Sequence, residues 1–150
     1  MAPDEGTEQG AAAGYYFDGL DGLNGTLFPD VLLDHVMAHL TGAEFKVLAY
    51  IVRRTVGFKR MSDTISLDQI CSGVRGREDV VIDAGTGLSK KTAIAALKGL
   101  QDKGVVVAQK RAGKDRGNLP TAFALRFKGV PTMDDPTVPR EPSQPNVASS

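Results

Sequence analysis

Between Ser89 and Lys98 the chain holds Ser89, Lys90, Lys91, Thr92, Ala95 and Lys98, a set of hydroxyls, cations and one bare methyl at helical spacing. That chemistry suits DNA. Lysine donates to guanine acceptors, and Thr92 or Ala95 can meet a thymine methyl, so Lys90, Lys91, Thr92 and Ala95 are the expected base readers in a major groove. Ser89 and Lys98 are expected on phosphates, which fix register without reading sequence. A second group, Lys110, Arg111, Lys114 and Arg116, lies on a Gly-spaced turn and suits phosphate or minor groove. A third, Arg53, Arg54, Lys59 and Arg60 around Phe58, reads either as phosphate contacts or as a solvated helix end favoured by the dipole.

Other chemistries find less support. Val80 to Thr92, with Gly85, Gly87 and Lys91-Thr92, has the outline of a strand, Gly-rich loop and helix start that cradle phosphates. A phosphate loop needs Gly directly before its Lys-Ser/Thr pair, and Lys90 stands there instead. His35 and His39 are spaced to share a metal, but two ligands with no third nearby make a poor site. Cys71 is the only cysteine, which excludes an internal disulfide and reads as a packed thiol. No nucleophile has a base beside it in sequence, so neither an enzyme nor a cofactor is expected.

The elements that must position these residues are marked by their ends. Ser89 is an N-cap and Gly104 sits where a helix closes in a left-handed residue, so a helix is expected between them. Its apolar stripe is Ala93, Ala96, Leu97 and Leu100, with Lys91, Thr92, Ala95, Lys98 and Gly99 on the other side. Thr41-Gly-Ala-Glu44 is a capping box with Leu40 and Phe45 as its staple; it opens a helix to about Val56, ended by Gly57. Phe45, Leu48, Ala49, Val52 and Val56 line one side, and Val47, Tyr50 and Ile51 add a second apolar flank. Such a helix is contacted from two directions.

Asp63-Thr64-Ile65 predicts a short strand, and Ser66-Leu-Asp-Gln69 a second capping box opening a brief helix that ends near Cys71 to Gly73. Before these, Phe28-Pro29-Asp30 starts a helix to about Leu40, with Val31, Leu32, Val36 and Leu40 inward. After Gly104, Val105 to Gln109 and Thr121 to Phe127 read as paired strands, with Phe123, Leu125 and Phe127 inward. Ser72 to Leu88 is far longer than the turn of a tight helix-turn-helix. Its Asp79 to Asp83 portion has strand character and is expected as a hairpin or ordered loop beside the following helix, which Val80 to Ile82 would position or extend.

The fold class these elements spell is mostly α with a small β-hairpin, an α+β winged helix-turn-helix. Residues 29–128 form the domain; 1–28 are an acidic, Gly-rich arm with a docking patch near Tyr16, and 129–150 a Pro-rich tail, both expected disordered. The net charge is zero, yet residues 1 to 34 carry seven acidic groups and no Lys or Arg. Residues 89 to 128 carry ten basic groups against Asp102 and Asp115, a net of +8. Segregation of this kind is the footprint of a nucleic-acid binder, or more plainly a solvated basic face. No stretch is apolar enough for a membrane span or a signal peptide, so a cytoplasmic protein is expected.

With these motifs in order, residues 28 to 127 resemble the amino-terminal winged-helix domain of the phage replication protein O family. The carriers are Leu40-Thr-Gly-Ala-Glu-Phe-Lys-Val-Leu, Arg54-Thr-Val-Gly-Phe, Ile65-Ser-Leu-Asp-Gln, and Thr86-Gly-Leu-Ser-Lys-Lys-Thr with Ala96-Leu-Lys-Gly-Leu-Gln-Asp-Lys-Gly-Val. The resemblance implies an initiator that binds origin repeats in double-stranded DNA and recruits a replicative helicase or its loader through a separate carboxy-terminal region. A transcriptional regulator would use the same chemistry at a promoter. A protein-binding winged helix would keep the basic residues without using them. The helix from Asp30 to Leu40 offers a homodimer surface.

Overall fold

The computed structural model describes residues 14–110 and 121–129. Helix α1, Gly42–Thr55, is the element the others pack on. Its start is the expected capping box: Thr41 Oγ1 accepts from Glu44 N at 3.0 Å and Glu44 Oε1 accepts from Thr41 N at 2.9 Å. Val47, Leu48, Tyr50, Ile51, Val52 and Thr55 are all buried, which is the wide surface that the two apolar flanks predict. It ends at Thr55 with Val56 as its C-cap, where expected, but Gly57 is not what closes it. Gly57 lies inside a 3-10 turn, Val56–Phe58, and the left-handed closing residue is Lys59 at φ 57°. A Cβ at Gly57 would sit 2.9 Å from Thr26 Oγ1 and 2.7 Å from Arg53 Nη1, so this glycine serves close approach rather than termination.

Strand β1, Asp63–Ile65, leads to the second capping box and to helix α2, Leu67–Ser72, with Ile70 and Cys71 buried. Ser66 Oγ accepts from Gln69 N at 3.0 Å, and Gln69 Oε1 accepts from Ser66 N at 3.4 Å. Burial pushes the Cys71 thiol pKa up, as befits a packed thiol. Helix α3, Lys90–Asp102, crosses α1, and strands β4, Val106–Lys110, and β5, Thr121–Leu125, follow it. The sheet is antiparallel in the order β1-β5-β4. Between sheet and helices lies a mostly aliphatic core that includes Leu48, Ile51, Ile65, Ile70, Ala93, Leu100, Val106, Phe123 and Leu125. The architecture is α+β.

Three expectations at the periphery are corrected. Phe127 points into no core: β4 begins at Val106, opposite Leu125, so Phe127 lies past the last rung and is 48% exposed. The stretch from Asp30 to Leu40 is a π-helical turn, Leu32–Val36, followed by a 3-10 turn, Met37–His39, with no fully buried residue. Leu32 and Leu40 still touch the core edge, whereas Val31 is exposed. Gly99 is not on the outward face of α3. It meets the first turn of α1, where an added Cβ would collide with the Glu44 carboxylate.

The long approach to α3 is a second, two-stranded ribbon. Val74–Arg75 forms β2 and Val81–Asp83 forms β3, antiparallel with an irregular register. It is held by its base rather than by its apolar residues. Tyr50 OH donates to Asp83 Oδ1 at 3.1 Å, Arg54 Nη1 lies 3.6 Å from Asp83 Oδ2, and Gly73 and Gly85 approach so closely that neither has room for a Cβ. Burial first, and then the Asp83 charge, push the Tyr50 pKa up to about 12. Val80 and Ile82 are 60% and 62% exposed, so they do not position α3.

Candidate nucleic-acid interface

Ser89 caps α3 as its residue type predicts: Oγ accepts from Thr92 N at 3.2 Å and lies 3.0 Å from Thr92 Oγ1. Ala93, Ala96 and Leu100 are buried and Leu97 is half-buried, which turns Lys90, Lys91, Thr92, Ala95 and Lys98 outward together. All five are exposed. The first turn of α3 holds no acidic residue, although the helix dipole favours one there. Lys91 makes no ion pair among the described residues. Lys98 reaches Asp102 at 3.4 Å along the helix, a solvent-screened pair that leaves its ammonium available. Lys90 is joined to Asp68 of α2 at 2.8 Å, and this carboxylate raises the Lys90 pKa by its hydrogen bond and its charge.

The carboxy-terminal end of α3 is held by Glu44. Its carboxylate lies against Gly99 and receives Lys103 Nζ at 2.6 Å, while Lys103 also donates to His39 O at 3.1 Å. The Lys103 hydrogen bond foremost, aided by Thr41, holds the Glu44 carboxyl below its usual range against the opposing effect of burial. One residue thus caps α1 and sets where α3 crosses it.

The Gly-rich loop before α3 is not a phosphate cradle, because its N–H groups are spent within the fold. Gly85 N donates to Asp83 Oδ1 at 3.0 Å, Thr86 N to Ile70 O at 2.8 Å, Gly87 N to Cys71 O at 3.0 Å and Leu88 N to Thr86 Oγ1 at 3.2 Å. The bonds to Ile70 and Cys71 tie the approach to α3 to the end of α2, and the other two are made within the loop.

At the far end of α1, the guanidiniums of Arg53, Arg54 and Arg60 lie 4.7, 4.9 and 5.8 Å from the Phe58 ring centroid. Asp63 pairs with Arg54 at 3.4 Å and with Arg60 at 2.7 Å. Arg54 is therefore committed to Asp63, Asp83 and Phe58, whereas Arg53 and Lys59 are exposed. Of the cations expected on a wing, Lys110 closes β4, and Arg111, Lys114 and Arg116 lie outside the described residues. His35 and His39 gain no third ligand: among the described residues no three His, Cys, Asp or Glu side chains are grouped to hold a metal. Among those residues, too, no helix is long and apolar enough to cross a membrane.

A sequence profile of bacteriophage replication protein O matches residues 26–119. The chain belongs to that family. The match begins just before Phe28, which stacks on Phe45 with ring centroids 5.9 Å apart, and runs through α1, β1, α2, the ribbon, α3 and β4. Membership places the protein in phage DNA replication. Neither the curated proteins nor the solved structures searched contain a match.

Two residues of this phage replication protein escape sequence reasoning, Glu44 in its contact with α3 and Asp68 beside Lys90. Glu44 announces only its capping role, since Lys103 lies 59 residues away. Asp68 is one acidic residue in a first helical turn, and nothing local links it to Lys90.

Proposed function

We propose that this chain is a winged-helix domain that binds double-stranded DNA sequence-specifically, as a replication initiator at repeats in a phage origin. The observation that carries the reading is the outward face of α3: Lys90, Lys91, Thr92, Ala95 and Lys98 are exposed on a helix whose Ala93, Ala96 and Leu100 are buried. Its first turn, lysine-rich and free of acids, is arranged for an anionic partner rather than for helix stability. In this reading α2 and α3 are the helix-turn-helix and β4 and β5 the wing, which follows α3 directly in the chain.

Lys91, Thr92 and Ala95 read bases together with Lys90, while Ser89, Lys98, Arg53, Lys59 and the wing cations Lys110, Arg111, Lys114 and Arg116 hold phosphates. Arg54 and Arg60 act behind them by holding Phe58 and Asp63 in place. The protein is a binder, with no reaction assigned to it. The segment 30–40, with Val31, Leu33 and Met37 exposed, is the surface available for self-association. Helicase or loader recruitment falls to residues outside the domain.

Selection of bound fragments from a phage genome tests this directly. Recovery of repeats clustered in one origin supports initiation, and recovery of promoters supports a regulator instead. No retained fragment at low salt removes the DNA-binding reading. Lys91→Ala changes the recovered sequence, while Lys114→Ala and Arg116→Ala weaken all duplexes alike; equal losses on cognate and random DNA for all three contradict the division of labour.

A further inference from the structure

The pair joining α2 to α3 is oddly placed for stability. Lys90 Nζ and Asp68 Oδ1 are 2.8 Å apart with side chains 64% and 76% exposed, and an exposed pair of this kind contributes little to folding. Lys90 is the first residue of α3, at the positive end of the helix dipole, where a cation is disfavoured. Asp68 sets a carboxylate beside the exposed first residue of α3, where a phosphate backbone would repel it. Among the described residues this is the one ion pair between the two helices.

We infer that Lys90 and Asp68 act as one unit that reads a G·C base pair in the major groove, a role that rests on the DNA-binding reading above. Guanine offers O6 and N7 as acceptors, and its paired cytosine offers the N4 amino group as a donor. O6 and N4 are bridged by a Watson–Crick hydrogen bond and so lie about 2.9 Å apart. The ammonium and carboxylate present the complementary donor and acceptor at 2.8 Å. Lys90 keeps two N–H groups for guanine beyond the one given to Asp68, and the Asp68 carboxylate keeps lone pairs to accept from cytosine N4. An A·T pair fits less well, because thymine offers the ammonium one acceptor crowded by its methyl, whereas guanine offers two. Held by Lys90, the Asp68 charge is neutralised where phosphates pass and is felt only by a donor in reach. The pair thus gives specificity at no cost in repulsion.

The test is binding-site selection with the full chain, with Asp68→Ala, with Lys90→Ala and with the double variant. Both side chains are exposed, so all four proteins are expected to fold, which circular dichroism checks. The wild-type motif contains a G·C pair at one position that both single variants relax. Exchanging that pair for A·T weakens wild-type binding about tenfold, on the scale of one good base contact. The same exchange changes variant binding little, and the double variant discriminates no worse than either single one. Relaxation at different positions, unchanged motifs, or a uniform strengthening on all duplexes by Asp68→Ala overturns the assignment. If wild type binds duplexes without sequence preference, this inference alone falls; if it binds none, the DNA-binding reading falls and takes this one with it.

Discussion

Glu44→Ala probes the seating of α3 most sharply. The change removes the half of the capping box that satisfies Thr41 N, a loss of about 1 kcal/mol by the usual worth of a cap. It also removes the charge-assisted bond to Lys103, worth about 1.5–3 kcal/mol where partners are buried. Glu44 is 8% exposed at its side chain but Lys103 is 39% exposed, so Lys103 can return to water and the lower end of that range applies. The expected sum is about 2–3 kcal/mol, or roughly 10 °C or more in Tm for a domain of this size. Urea denaturation followed by circular dichroism should show a lower midpoint at unchanged slope.

Gly99→Ala then supplies the diagnostic sign. In wild type the new methyl strikes the Glu44 carboxylate and destabilises the fold, despite the roughly 1 kcal/mol that alanine gains over glycine in a helix. In the Glu44→Ala background that obstacle is gone and Gly99→Ala should stabilise. A cost below about 0.5 kcal/mol for Glu44→Ala, against the cap and ion-pair values above, or a stabilising Gly99→Ala in wild type, refutes this account of how α1 positions α3.

Two further outcomes follow from the same geometry. Lys59→Gly should stabilise by about 1 kcal/mol, because the left-handed conformation at φ 57° strains a side chain and not a glycine; a loss of stability contradicts Lys59 as the closing residue of α1. Two of the shifted groups, Glu44 and Tyr50, bound the stable pH range. The depressed Glu44 carboxyl gives stability present above its ordinary 4.5 and lost as pH falls through the folded value, while the raised Tyr50 gives stability that is lost as pH climbs from 10 to about 12. Denaturation midpoints across pH should flatten at the acid end in Glu44→Gln and at the alkaline end in Tyr50→Phe, and unchanged profiles in both variants contradict the pairings.

What the sequence reveals is what is decided locally. Thr41 with Glu44 and Ser66 with Gln69 are capping boxes whose partners lie three residues apart, so both helix starts are legible without the fold. The buried face of α3 is likewise set by spacing, and it fixes which lysines turn outward. Glycines mislead where their use is tertiary: Gly57 makes room for Thr26, and Gly99 for Glu44, so neither plays the role that position alone suggests. The segment from Ser72 to Leu88 hides its purpose for the same reason. Val80 to Ile82 look like its core, yet its hold on the domain is polar, through Asp83 to Tyr50 and Arg54 and through Thr86 to Ile70. Arg54 reads as a free cation beside Arg53 because its two carboxylate partners belong to separate strands.

The salt dependence of duplex affinity tests the central claim most directly. For the full chain on a duplex recovered by selection, neutralising about five phosphates, that is most but not all of the cations assigned to the backbone, predicts that log affinity falls against log salt with a slope of about −4 to −5. A slope near zero contradicts it.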